Sequence, residues 1–331
     1  MIVYNRICLY LFAWLVLPLI ASSQGSDLLD PNLPEYEPVQ GVSGSIKAVG
    51  SDTMNNMMAL WAEGFKEFYP NVSVEIEGKG SSTAPPALIS GAANFGPMSR
   101  EMKGKEIDAF VEKYGYEPTP LAVGLDVLAL YVNNDNPIER ITMAQADAIF
   151  SKTRRRGLDT NITTWGDLGL TGNWAQQPVS IYGRNAASGT YGFFKDNVML
   201  GGDFKDSVKE QPGSSSVVQA VASDPYSIGY SGIGYKTADV RAVPIEQDGV
   251  EVAPDAEHAY AGEYPLTRFL LVYTNYKPGS DLDPLRREFI RFIFSRPGQE
   301  QVIKDGYYPL SAELAQRSLS RVGIEVEEPQ P

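Results

Sequence analysis

A single cysteine and a single histidine stand among the 331 residues, and both scarcities narrow the chemistry open to the chain. Cys8 lies inside an apolar N-terminal stretch. Once that stretch is removed no thiol remains, which excludes disulfides, thiolate nucleophiles and cysteine metal sites. His258, in the polar segment PDAEHAYAGEY, has no partner nearby in sequence for general-base work and is expected at the surface. Neither a G-x-S-x-G elbow nor an H-E-x-x-H pair occurs. Positive charge is scarce too: 28 Lys and Arg against 41 Asp and Glu give a formal net charge of −13. That balance argues against a nucleic-acid partner, and the only basic cluster, Arg154-Arg155-Arg156 before Gly157, reads as a solvated turn. It leaves room for a small-anion site, because net charge governs long-range steering while donors a few ångströms away set affinity.

Long apolar runs are confined to the N-terminus. In residues 1–23 Arg6 is the only charge, ICLYLFAWLVLPLIA has secretory length, and Ala21-Ser22-Ser23 supplies small residues for cleavage. Pro18 and the polar end favour a cleaved signal peptide over an anchor, and Cys8 lies too early to be a lipidated cysteine. Losing Arg6 takes the net charge from −13 to −14. Residues 24–44, including SDLLDPNLPEYEPVQGVS, are acidic, proline-rich and aperiodic, and read as a linker or N-terminal arm; residues 322–331 form a similar tail. Between them short apolar runs alternate with helical patterns, the mark of an α/β architecture. LAVGLDVLALYVN from Leu121 reads as a buried strand, AQADAIF and Leu285 to Phe294 as helices, and Met57, Leu60, Trp61, Phe65 and Phe68 share one helical face.

What recurs is a strand, a Ser/Thr/Gly turn and then a helix, at Thr53, Ser81, Ser188 and Ser214. In open α/β sheets ligands sit where strands end and helices begin, and a helix start offers unpaired N–H groups and a partial positive charge to an anion. The run GRNAASGTYG, Gly183 to Gly192, adds Arg184 four residues before Ser188-Gly189-Thr190. Alone it reads equally as a capped helix beside a surface arginine. A desolvated phosphate needs on the order of ten donors, which several such turns and their arginines meet and one does not. Arg100, in SREMKGKE, is a second candidate: Ser99 reads as the cap of a helix, which would set a cation in the first turn, where the dipole disfavours it; the alternative is an exposed arginine paired with Glu101 or Glu106.

GSDTMNNMMALWAEGFKEFYPNV, GKGSSTAPPALISGAANFGPMSREM, GRNAASGTYGFF, SIGYSGIGY and YYPLSAE resemble, in order and spacing, the periplasmic phosphate-binding proteins of high-affinity phosphate ABC importers. The likeness spans roughly residues 45 to 312. It implies the two-lobed type II periplasmic-binding-protein fold, each lobe a mixed sheet flanked by helices, with hinge strands between them. Residues 45–125 and 263–321 would form lobe I and 126–262 lobe II. By motif, phosphate would meet Thr53, the Met54 backbone, Ser81, Ser99 and Arg100 from lobe I, and Arg184, Ser188, the Gly189 N–H and Thr190 from lobe II. The family pattern has an aspartate where Ser99 stands and an acid where Ala186 stands; a serine both donates and accepts, so it removes the strict need for a proton on the ligand. The resemblance further implies a periplasmic, monomeric, non-catalytic protein that works with a membrane ABC permease and needs no metal or cofactor. The alternatives are a binder of another oxyanion such as sulfate, and a secreted phosphatase with Ser188 or Ser81 as nucleophile, for which Asp52 is the only acid in a motif turn.

Overall fold

The alternating patterns fold into α/β structure. The computed structural model describes residues 28–325, so the expected signal peptide, Cys8 and the last six residues of the tail lie outside the described residues. Among the described residues the main sheet has nine strands. From one edge they run Val72–Glu77, Gly44–Val49, Phe95–Met98, Thr267–Thr274, Thr119–Asn133, Ser227–Gly232, Ser180–Arg184 and Lys209–Gln211, with Val240–Val243 also paired to Thr119–Asn133.

The 15-residue strand Thr119–Asn133 belongs to both lobes. Up to Val127 it pairs antiparallel with Thr267–Thr274; from Leu128 onward it pairs with Ser227–Gly232 and Val240–Val243. At about 3.3 Å per residue it is roughly 50 Å long, enough to cross the molecule. Its near-continuous apolar sequence follows from being covered on both faces. Asp126 and Arg268, directly opposite each other in register, sit where the strand changes partners.

Among the described residues each lobe has one large core and one smaller satellite cluster. In the first of the large cores, Met57, Trp61 and Phe65 of helix Asn55–Phe68 pack against Phe289 and Phe292 of helix Pro284–Ile293. The indole of Trp61 donates to Gly298 O at 2.8 Å. In the second, Phe194 stacks on Tyr230 with centroids 4.0 Å apart and Phe150 meets both edge-on, which fixes helix Gly189–Asn197 against the sheet.

Packing decides between the two readings of the proline-rich N-terminal segment and revises one further expectation. The segment is an arm and not a free linker: Leu29, Leu33, Tyr36 and Val42 are buried in the first core, and Tyr36 OH donates to Glu288 Oε2 at 3.0 Å. The triple arginine is not a free solvated turn either. Arg156 donates to Asn197 O and, through Nε, to Val198 O at 2.6 Å, so it caps the carbonyl end of helix Gly189–Asn197, where cations are favoured, while the exposed Arg155 donates to Leu200 O at 2.8 Å in the turn beyond.

Asp305 closes the opposite end of the first core. Its Oδ1 accepts from Asn56 Nδ2 at the start of helix Asn55–Phe68, while Oδ2 is buried without a partner. Burial, opposed by the Asn56 bond and reinforced by the charge of Asp126, pushes its pKa from 3.8 up to about 6. An acid whose pKa is higher folded than unfolded holds its proton more tightly in the native state, so stability is greatest below the unfolded value, falls as pH rises from 3.8 to about 6 and is level above that. Asp305→Asn is therefore expected to be more stable than the parent at pH 7.5, by on the order of 2 kcal/mol, with the gap closing toward pH 4. Urea unfolding at the two pH values checks it.

Candidate functional site

The Ser/Thr turns of both lobes meet where the long strand crosses. Asp52–Met54 and Ser81–Thr83 are short turns that lead into helices Asn55–Phe68 and Ala84–Ser90, the latter accepting Pro85 and Pro86 in its first turn. From the other lobe come the N-termini of helices Gly189–Asn197 and Ser214–Ser223. Thr53, Ser81, Ser99, Ser188, Thr190 and Ser214 are each at most 3% exposed. Their hydroxyls bond across the lobes: Thr53 Oγ1 is 2.9 Å from Thr190 Oγ1 and 3.4 Å from Ser214 Oγ. Within the first lobe Ser99 Oγ accepts from Ser51 at 3.1 Å and Ser81 Oγ accepts from Ser99 N at 3.1 Å. Buried hydroxyls without strong acceptors are costly, so such a cluster suits a polar ligand.

Ser188 fills both roles open to it in the sequence. Its Oγ caps its helix, accepting from Thr190 N at 3.1 Å and Tyr191 N at 3.4 Å, which leaves its own proton to donate. Met54 N is already engaged, donating to Ser51 O at 3.3 Å. Gly189 is required by space: a Cβ there would lie 2.2 Å from Ser81 Oγ and 2.7 Å from Ser99 Oγ, both on the facing lobe. Gly189→Ala is expected to prop the lobes apart, weakening anion binding at least about tenfold with little loss of thermal stability, since neither core is touched. Titration calorimetry beside a melting curve separates the two effects.

Three arginines approach the cluster, each with an acid. Arg184 is 1% exposed; its Nη1 donates to Ser214 Oγ at 2.6 Å, its Nη2 lies 3.2 Å from Asp52 Oδ2, and its Nε is buried without a partner. Burial lowers its pKa and Asp52 works against that, but a guanidinium remains charged. The surface alternative for this residue is thereby excluded. Arg268 was not singled out in the sequence. Its Nε and Nη2 donate to Asp126 Oδ2 at 2.9 and 2.7 Å, its Nη1 to Ser99 O at 2.8 Å, and its Nη2 also to Thr190 Oγ1 at 3.1 Å.

Arg100 departs from expectation. Ser99 caps no helix: the helix begins at Gly104, capped from Lys103, with Glu106 folding back onto the Lys103 N–H at 2.8 Å. That fold-back brings both oxygens of Glu106 to Arg100, Nη1 and Nη2 each at 2.8 Å, and the arginine is buried at 8% exposure rather than free at the surface. Its contact with the serine turns is a long one, Nη2 to Ser82 Oγ at 3.4 Å. The three pairs leave the site with no formal excess of positive charge. An anion here is held by oriented donors and helix dipoles rather than by a positive field, in keeping with the acidic whole.

His258 lies elsewhere, on helix Ala256–Tyr260, with Nδ1 2.7 Å from Asp255 Oδ1, a partner in sequence that the segment's loop-like composition did not suggest. That bond raises its pKa. No nucleophile is hydrogen-bonded to its ring among the described residues.

Residues 36–297 match the PBP superfamily domain. The chain is 53% identical over 298 residues to phosphate-binding protein PstS of Pseudomonas aeruginosa, covering 89% of this chain and 92% of that protein. The chain belongs to the PstS family of the PBP superfamily. A phosphate-binding protein PstS of Bacillus subtilis is 26% identical over 273 residues, 81% of this chain and 82% of the relative. Among solved structures, one described as a phosphate ABC transporter substrate-binding protein with bound phosphate, from Clostridium perfringens, superposes with a TM-score of 0.68 at 26% identity, over 81% of this chain and all of the other. With such neighbours and a strand shared between two lobes, the fold is the type II periplasmic-binding-protein fold.

Proposed function

We propose that this PstS-family protein is a periplasmic solute-binding protein that closes its lobes around one inorganic phosphate and delivers it to a membrane ABC permease. The observation that carries the reading is the meeting of buried hydroxyls from both lobes, Thr53 with Thr190 and Ser214, beside Arg184, which donates to Ser214 Oγ and whose Nε has no partner among the described residues. In this reading Thr53, Ser81 and Ser99 donate from one side, and Ser188, the Gly189 N–H, Thr190 and Arg184 from the other. Arg268 supports Thr190 and Ser99. Arg100 and the Met54 N–H are already engaged, by Glu106 and Ser51 O.

The protein acts by binding alone, as a monomer, without metal or cofactor. Ser188 and Ser81 have no general base at hand: their hydroxyls accept from backbone N–H groups, and no imidazole or carboxylate bonds to either among the described residues. Titration with inorganic phosphate is expected to give one site per chain, and an assay with an aryl phosphate monoester to give no turnover. Hydrolysis that disappears on substituting Ser188 or Ser81 would overturn the reading.

A further inference from the structure

Two phenols, one from each lobe, converge on the backbone of the turn that carries Thr53. Tyr235 ends the short turn Ile233–Tyr235, which continues strand Ser227–Gly232 of the second lobe. Its hydroxyl donates across the lobe boundary, one proton shared between Asp52 O at 3.0 Å and Thr53 O at 3.3 Å. Tyr307, buried in the first core, donates to the same Thr53 O at 3.0 Å from within the first lobe. Burial raises both phenol pKa values, so each hydroxyl keeps the proton that it donates.

A close backbone crossing brings the phenols together. A Cβ at Gly234 would lie 2.5 Å from Asp305 O and 2.9 Å from the Tyr307 ring, so the second lobe's turn rests directly on the first lobe's Asp305-Gly306-Tyr307. The ring of Tyr235 packs against the first core on one side and against the satellite cluster of Tyr131 and Val218 on the other. Because a peptide unit is planar, holding Thr53 O fixes the unit from Thr53 to Met54, and with it the direction in which the turn presents the Thr53 hydroxyl. Neither phenol is hydrogen-bonded to a side chain assigned to the anion among the described residues, so the loss of either can be read apart from ligand contact.

We propose that Tyr235 is a positioning residue for phosphate binding: its bonds across the lobes form on closure and set the Thr53 turn against the anion, while Tyr307 holds that turn in the open and the closed protein alike. This rests on the phosphate reading above and names a part of closure that ligand contact does not supply. The bonds from Tyr235 span two bodies that separate when the cleft opens. Their free energy therefore enters binding and leaves the stability of the phosphate-free protein unchanged. The bond from Tyr307 lies inside one lobe, so it enters folding equally with and without ligand.

Tyr235→Phe and Tyr307→Phe each remove one oxygen and keep the ring. Calorimetric titration of the full mature chain with inorganic phosphate, beside thermal melting with and without phosphate, tests the assignment on the parent and both variants. Tyr235→Phe is expected to bind phosphate about tenfold more weakly, while its phosphate-free form melts within about 1 °C of the parent. Tyr307→Phe is expected to melt about 2–4 °C below the parent with and without phosphate, and to keep its affinity within about threefold. A Tyr235→Phe affinity equal to the parent's overturns the assignment and leaves phosphate binding standing. So does a phosphate-free Tyr235→Phe protein that melts as low as Tyr307→Phe or without cooperativity, since its bonds would then be holding the fold. A parent that gives no binding with inorganic phosphate overturns the phosphate reading, and the role of Tyr235 with it.

Discussion

Arg184→Ala lowers phosphate affinity by more than about 100-fold, roughly 3 kcal/mol, while the protein still folds. Three features combine in that effect. The guanidinium is almost wholly buried, so its charge acts at low dielectric; its unpartnered Nε is a donor in waiting; and its removal leaves Asp52 as an uncompensated negative charge beside the anion. The last term makes alanine worse than a simple loss of one hydrogen bond. Arg184→Lys keeps the charge but not the fork that spans Ser214 and Asp52, and should fall between parent and alanine. Calorimetry with inorganic phosphate measures all three proteins. An Arg184→Ala affinity within a few-fold of the parent would place the anion elsewhere.

Arg268→Met is expected to cost about 3–5 kcal/mol of folding stability, because Asp126 is fully buried and Arg268 is its only cationic partner among the described residues. The pair lies in register across the strands at the crossing between lobes, so phosphate binding should fail as well. A double variant, Asp126→Asn with Arg268→Met, tells the two losses apart. Removing both charges should restore most of the stability, since no buried charge is stranded and an asparagine still accepts from Ile233 N, but should leave binding weak. Urea unfolding and calorimetry on the singles and the double give the cycle; a double no more stable than Arg268→Met would mean that the pair does not carry the stability assigned to it.

How much of this was legible in the sequence depends on which residues speak locally. Thr53, Ser81, Arg184 and the Ser188-Gly189-Thr190 run announce themselves, because turn chemistry and helix capping act over a few residues. Asp126 and Arg268 do not, since their meaning lies in a partner 142 residues away. A signal was nonetheless present. Each is a lone charge inside an apolar strand, LAVGLDVLALYVN and PLTRFLLVYT, and a charge in a run covered on both faces must be paired. Arg100 was misplaced because SREMKGKE offers two helix starts, and the bonds from Glu106 settle on the later one. In the N-terminal arm the apolar residues that staple it to the first core are scattered among prolines without period, so nothing local marked them as buried. Alternation alone made the α/β class readable and the two-lobed fold came from the resemblance, whereas the sharing of one strand between two lobes is a matter of pairing that composition does not encode.

The most direct test is a crystal structure of the protein purified without added ligand and soaked in inorganic phosphate. The account predicts one tetrahedral anion between the lobes, with oxygens within about 3 Å of Arg184 and of the hydroxyls of Thr53, Ser81, Ser99 and Thr190. Tetrahedral density at another place, or an interlobe cluster that stays closed on itself at saturating phosphate, would contradict it.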